Sequence, residues 1–98
     1  MQFTQFGRTG LAVSRLCIGT GTFGHQTDEN EAFRILGKAA DAGVNFIDTA
    51  DIYPAGATAD GLGGSEVITG RWLKGKRDQY IVGTKAGGPM GQAAVTGR

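Results

Sequence analysis

The sequence predicts an α/β fold in which a β-hairpin is followed by parallel strands joined through crossover helices. Three observations predict it. Short apolar segments begin near residues 16, 44 and 79, spacings of 28 and 35 residues, as in βαβ units of about 30 residues. Two stretches between them, 28–42 and 65–74, carry apolar residues at helical spacing. Ahead of them, residues 2–14 alternate loosely and are cut by Gly7-Arg8-Thr9-Gly10, the pattern of a hairpin with a glycine-bearing turn. Strand–helix alternation of this kind implies parallel strands with right-handed crossovers. Three such strands do not close a barrel, and a (β/α)8 barrel takes about 250 residues. The expected architecture is therefore the N-terminal part of a (β/α)8 TIM barrel, with about three βα units, residues 1–98 forming one incomplete domain.

Each element has its own local cause. Leu16-Cys17-Ile18-Gly19-Thr20 is a short apolar strand ending in glycine. Asp28 stands three residues before Glu31, an N-terminal signature close to a capping box. Ala32, Ile35, Leu36, Ala39 and Ala42 then line one helical face, and Gly43 suits the left-handed residue that ends a helix. Residues 44–48 form the second strand. A glycine-rich loop from Pro54 to Gly64 leads into the helix 65–74, with Ile68 and Trp72 one turn apart and Gly75 as its cap. Residues 79–84 are the third strand, and the tail 86–98 has no periodicity.

Composition narrows the function. Lys and Arg number 10 against 9 Asp and Glu, a net charge of +1. That balance gives no footing for nucleic acid. No apolar run approaches the ~20 residues that span a bilayer, and the N-terminus has no signal-peptide pattern. The expectation is a cytoplasmic chain with no nucleic-acid or membrane partner. A single cysteine, Cys17, excludes an internal disulfide and a cysteine-rich zinc site. It is expected to be a buried strand residue, with no base beside it to make it a nucleophile. No metal site is expected.

Gly19-Thr20-Gly21-Thr22-Phe23-Gly24 spells G-x-G-x-x-G after a strand. In the dinucleotide fold the third glycine packs a helix against the sheet, with phosphate at the helix N-terminus. Here three residues separate it from the cap at Asp28. A glycine-rich loop at a barrel mouth fits the spacing better.

Asp48 ends the second strand on the face of Val44 and Phe46, and Lys85 ends the third on the face of Ile81 and Gly83. Tyr53 lies in the loop after Asp48, able to fold back over the same mouth. Taken singly, each has an ordinary structural role: a turn-capping aspartate, a strand-end lysine, a half-buried loop tyrosine. Taken together, they form a set. Adjacent parallel strands lie about 4.8 Å apart, so Asp48 can hold the Lys85 ammonium beneath Tyr53. A neighbouring ammonium favours phenolate, and a phenol so activated is a usable general acid for an oxygen being protonated.

These residues also carry a family resemblance. The chain resembles the N-terminal third of an aldo-keto reductase over residues 1–91. The likeness rests on Gly10-Leu11 and Val13-Ser14, on Ile18 to Gly24, on Ala42 to Tyr53 with its Asp-Thr-Ala-x-x-Tyr segment, on Ser65-Glu66 ahead of Gly70, and on Ile81-Val82-Gly83-Thr84-Lys85. It is closest to the bacterial branch akin to channel β-subunit-like reductases. The resemblance implies NADPH as cofactor, a small carbonyl substrate, Tyr53 as proton donor and Lys85 with Asp48 as its activating pair. It also implies Thr20, Gly21 and Asp48 beside the nicotinamide. The family's catalytic histidine stands at the next strand end. The sole histidine here, His25, is a loop residue that does not match it. The 98 residues alone are therefore expected to be inactive. Two alternatives stay open: a cofactor-binding regulatory subunit without significant turnover, and a Schiff-base lyase using Lys85. The sequence leaves the oligomeric state open.

Overall fold

The computed structural model describes residues 1–88. The tail expected to lack periodicity falls largely outside them. Strands β1 (Phe3–Gln5) and β2 (Ala12–Ser14) pair antiparallel as the expected hairpin. Strands β3 (Ile18–Gly19), β4 (Phe46–Asp48) and β5 (Ile81–Gly83) form a separate parallel sheet in the order β3-β4-β5. Helix α1 (Glu29–Asp41) connects β3 to β4, and α2 (Gly64–Leu73) lies between β4 and β5. This is part of a parallel α/β barrel with the barrel open.

Helix α1 starts as the sequence predicts. The Asp28 carboxylate accepts from the Glu31 N–H at 2.8 Å, satisfying one of the free donors of the first turn. It ends at Gly43, whose φ of +92° a side chain would strain. The buried stripe of α1, Ala32 and Leu36, packs with Phe23, Ile47, Ile68 and Leu73 into one core. Ile18 and Val82 join Ile47 on the helix-facing side of the sheet, as alternation requires. Trp72 packs against this core and meets Tyr80 edge-on at 5.0 Å, the structural role its spacing suggests. Arg71 of α2 bonds Glu29 of α1 at 2.7 Å, an exposed link between the two helices.

The parallel strands are shorter than expected: β3 takes only Ile18–Gly19 of 16–20, β4 Phe46–Asp48 of 44–48, and β5 Ile81–Gly83 of 79–84. The third strand begins at Ile81, because Arg77–Gln79 forms a 3-10 turn instead of extended chain. The glycine-rich loop contains a further 3-10 turn at Ala59–Gly61.

Cys17 is a correction. It is exposed, because Ile18 takes the helix-facing side and leaves Cys17 on the opposite face, which no second layer covers among the described residues. Its thiol is nonetheless pushed up, first by loss of water against the sheet and then by the Asp48 carboxylate. A raised thiol is a poor nucleophile.

The hairpin is tied to the N-terminal end of the sheet. The Ser14 N–H donates to Asn45 Oδ1 at 2.7 Å, and the Asn45 N–H donates back to Ser14 Oγ at 3.1 Å. Asn45 Nδ2 also donates to the Ala12 carbonyl at 3.0 Å. Phe6 meets Phe46 edge-on at 5.8 Å.

Candidate active site

The C-terminal ends of β3, β4 and β5 carry the predicted residues, and the register brings them to one rim. Gly19 pairs with Asp48, and Asp48 pairs with Gly83. Lys85, two residues past Gly83, lies on the same face as Asp48. Its Nζ donates to Asp48 Oδ2 at 2.7 Å. The same ammonium stands 4.9 Å from the centroid of the Tyr53 ring, within cation–π range. The convergence expected from the sequence is therefore present: acid, amine and phenol meet at the mouth of the sheet.

The pair is half exposed, with side-chain exposures of 50% for Lys85 and 45% for Asp48. An ion pair so open to water adds little to stability. Its importance is positional. The Asp48 hydrogen bond is the largest influence holding Lys85 above the ordinary lysine range; loss of water opposes it, and Tyr53 adds a smaller upward push. A lysine raised on folding contributes its stability fully below its ordinary value, and that contribution fades as pH rises through the higher folded value. On the alkaline side the ion pair thus persists past the ordinary lysine range before the ammonium loses its proton. A 13Cε NMR titration checks this: the Lys85 midpoint lies above the ordinary value, and Asp48→Asn lowers it. An unchanged midpoint in that variant removes Asp48 as the cause.

The loop after β3 supplies the rest of the rim. Both the N–H and the hydroxyl of Thr20 donate to the Asp48 carbonyl at 3.1 Å. Thr20 is completely buried, so its hydroxyl serves to lock the ends of β3 and β4 together. At Gly21 a Cβ would stand 3.8 Å from Cζ of Tyr53. Gly21 thus faces the phenol ring across a space that a methyl group would fill at ordinary contact distance, and the Ala55 N–H donates to the Gly21 carbonyl at 2.8 Å. Above Gly19 the space is open to at least 4 Å. The G-x-G-x-x-G run is a loop, as its distance from the helix cap implies. Phe23 and Thr27 bridge across it, and α1 begins at Glu29.

His25 is exposed and stands beside Gly56, away from any strand end. Asp51 contributes a backbone N–H to the Lys85 carbonyl at 3.0 Å. Glu66, in the first turn of α2, accepts at Oε2 from the Thr84 hydroxyl at 2.7 Å, across to the end of β5. The adjacent Ser-Glu pair was visible in the sequence, but nothing in it pointed to a partner 18 residues away.

Fold and rim together define a parallel α/β barrel protein with its polar site at the strand C-termini, the end where such barrels carry their chemistry. The chain belongs to the aldo/keto reductase family, whose family model matches residues 15–97. It is 46% identical over 93 residues to an uncharacterized oxidoreductase, YrpG, of Bacillus subtilis, covering 92% of this chain and 28% of that protein. A probable voltage-gated potassium channel subunit beta of rice, Oryza sativa subsp. japonica, is 41% identical over 86 residues, 87% of this chain and 25% of that protein. An aldo-keto reductase from Bacillus halodurans, solved in its holo form, superimposes with a TM-score of 0.74 at 38% identity, over 89% of this chain and 26% of that one. The chain thus spans about a quarter of the length of these relatives. Membership supports oxidoreductase activity and small carbonyl substrates for the family as a whole. Among the described residues, no helix is long and apolar enough to cross a membrane.

Proposed function

We propose that this chain supplies the proton-donating rim of an NADPH-dependent reductase, which converts an aldehyde or ketone to an alcohol once the barrel is complete. The observation that carries the reading is the Lys85 ammonium, fixed 2.7 Å from Asp48 and 4.9 Å from the Tyr53 ring. Tyr53 gives its hydroxyl proton to the carbonyl oxygen of the substrate. The Lys85 ammonium offsets the negative charge left on the phenol oxygen, and Asp48 holds that ammonium in place. Such positioned acids contribute roughly 10²–10⁴-fold.

The residues present fit the nicotinamide end of the cofactor. Gly19 leaves open space, Gly21 presents bare backbone beside Tyr53, and Asp48 is half exposed next to both. Thr20 acts there by fixing the strand end. NADPH, when bound, supplies the hydride.

The Asp48–Lys85 pair weighs against a Schiff-base lyase, which needs a neutral amine. Asp48 instead holds Lys85 protonated. A regulatory, cofactor-retaining subunit is the second reading, favoured by the likeness to the rice channel subunit.

A graft separates these. Residues 1–88 replace the equivalent segment of the Bacillus halodurans reductase, and NADPH consumption is followed with a panel of aldehydes. The reductase reading expects turnover by the graft and none by the 98-residue chain alone. A folded graft that binds NADPH, seen by fluorescence, yet reduces no aldehyde overturns it in favour of the regulatory reading.

A further inference from the structure

Three segments leave the C-terminal ends of β3, β4 and β5, and all three are bonded to the start of α2. The buried Ser65 hydroxyl donates to the Phe23 carbonyl at 2.7 Å, in the loop that holds Gly21. The N–H groups of Gly63 and Ser65 donate to the Tyr53 carbonyl at 2.9 and 3.4 Å. Glu66 accepts from Thr84, the residue before Lys85. Three residues, Gly63, Ser65 and Glu66, therefore bond every segment that builds the rim.

Two kinds of bond hold the direction of the amine. The ladder of β5 stops at Gly83, and the Thr49 and Asp51 N–H groups donate to the Gly83 and Lys85 carbonyls at 2.8 and 3.0 Å. Side chains alternate along extended chain. Glu66 holds Thr84 on the helix side, and Lys85 lies on the other face, toward Asp48 and Tyr53. The Glu66 bond is the side-chain tether of this segment, beside the two backbone bonds.

We propose that Glu66 is a positioning residue for the site, acting through Thr84 to aim Lys85 at Asp48 and Tyr53. Its catalytic meaning rests on the reductase reading; the aiming of Lys85 does not. A purely local role is distinguishable. A carboxylate in the first turn of a helix also favours the helix dipole, so loss of stability in Glu66→Ala is uninformative. Thr84→Val leaves that carboxylate in place and removes only the donor. Glu66→Gln keeps an oxygen that can accept.

The test follows Lys85 by 13Cε NMR titration in the full chain, assigning its signal by its loss in Lys85→Arg. Glu66→Ala and Thr84→Val are both expected to return the Lys85 midpoint to the ordinary lysine range. The double variant goes no further than either single one, and Glu66→Gln keeps the raised midpoint. In the grafted barrel, Thr84→Val lowers kcat roughly tenfold to a hundredfold, the scale of an ångström-sized misplacement, with KM for NADPH unchanged. A Lys85 midpoint that stays raised in Thr84→Val overturns the proposal, whatever the graft does. A graft without turnover, combined with a lowered midpoint in that variant, sinks the reductase reading and leaves the aiming role standing.

Discussion

Tyr53→Phe abolishes carbonyl reduction by the grafted barrel while leaving NADPH binding intact. The ring stays, so its place facing Gly21 and near Lys85 is kept. Only the hydroxyl is removed, and with it the proton that the reduced oxygen must receive. Loss of a positioned general acid costs roughly 10²–10⁴ in rate. The measurement is steady-state NADPH oxidation beside a fluorescence titration of the cofactor. Turnover within a few-fold of the unaltered graft would mean that another group delivers the proton. Loss of cofactor affinity of the same size would mean that the hydroxyl acts in binding instead.

Phe23→Ala produces the largest expected loss of stability. Phe23 is 2% exposed and is the largest fully buried side chain among the described residues. It joins the layer formed by Ala32, Leu36, Ile47 and Ile68. Truncating a buried phenylalanine costs about 3–5 kcal/mol, through lost transfer energy and the cavity left behind. Total stabilities of native domains are about 5–15 kcal/mol, so most of the margin goes with one ring. The Ser65 hydroxyl bonds the backbone carbonyl of Phe23, an acceptor the substitution keeps. Urea unfolding followed by Trp72 fluorescence gives the difference directly. A loss below about 1 kcal/mol would show that the core collapses into the space, or that this layer is loosely packed.

Much of this was legible in the residues, for identifiable reasons. Asp28 and Glu31 marked the start of α1, and Gly43 its end, because caps act locally. Asp48 and Lys85 could be placed on one face because strand alternation is a fixed geometric rule. What escaped depended on long-range partners or on local competition. Tyr80-Ile81-Val82 reads as strand, and the run was extended back to Gln79. Arg77 prevents that by turning the chain, with its guanidinium donating to the Tyr80 carbonyl at 2.8 Å. Cys17 read as buried because apolar strands usually have two covered faces. Here one face of β3 remains open. The partner of Glu66 was invisible because no sequence rule pairs a helix's first turn with the next strand's end.

The mutual bonds of Ser14 and Asn45, with Phe6 against Phe46, place the hairpin at the opposite end of β4 from Asp48. The docking of the hairpin and the chemistry consequently occupy different ends of the same three-residue strand, so a change at Asn45 loosens the floor at the far end from the groups at the mouth.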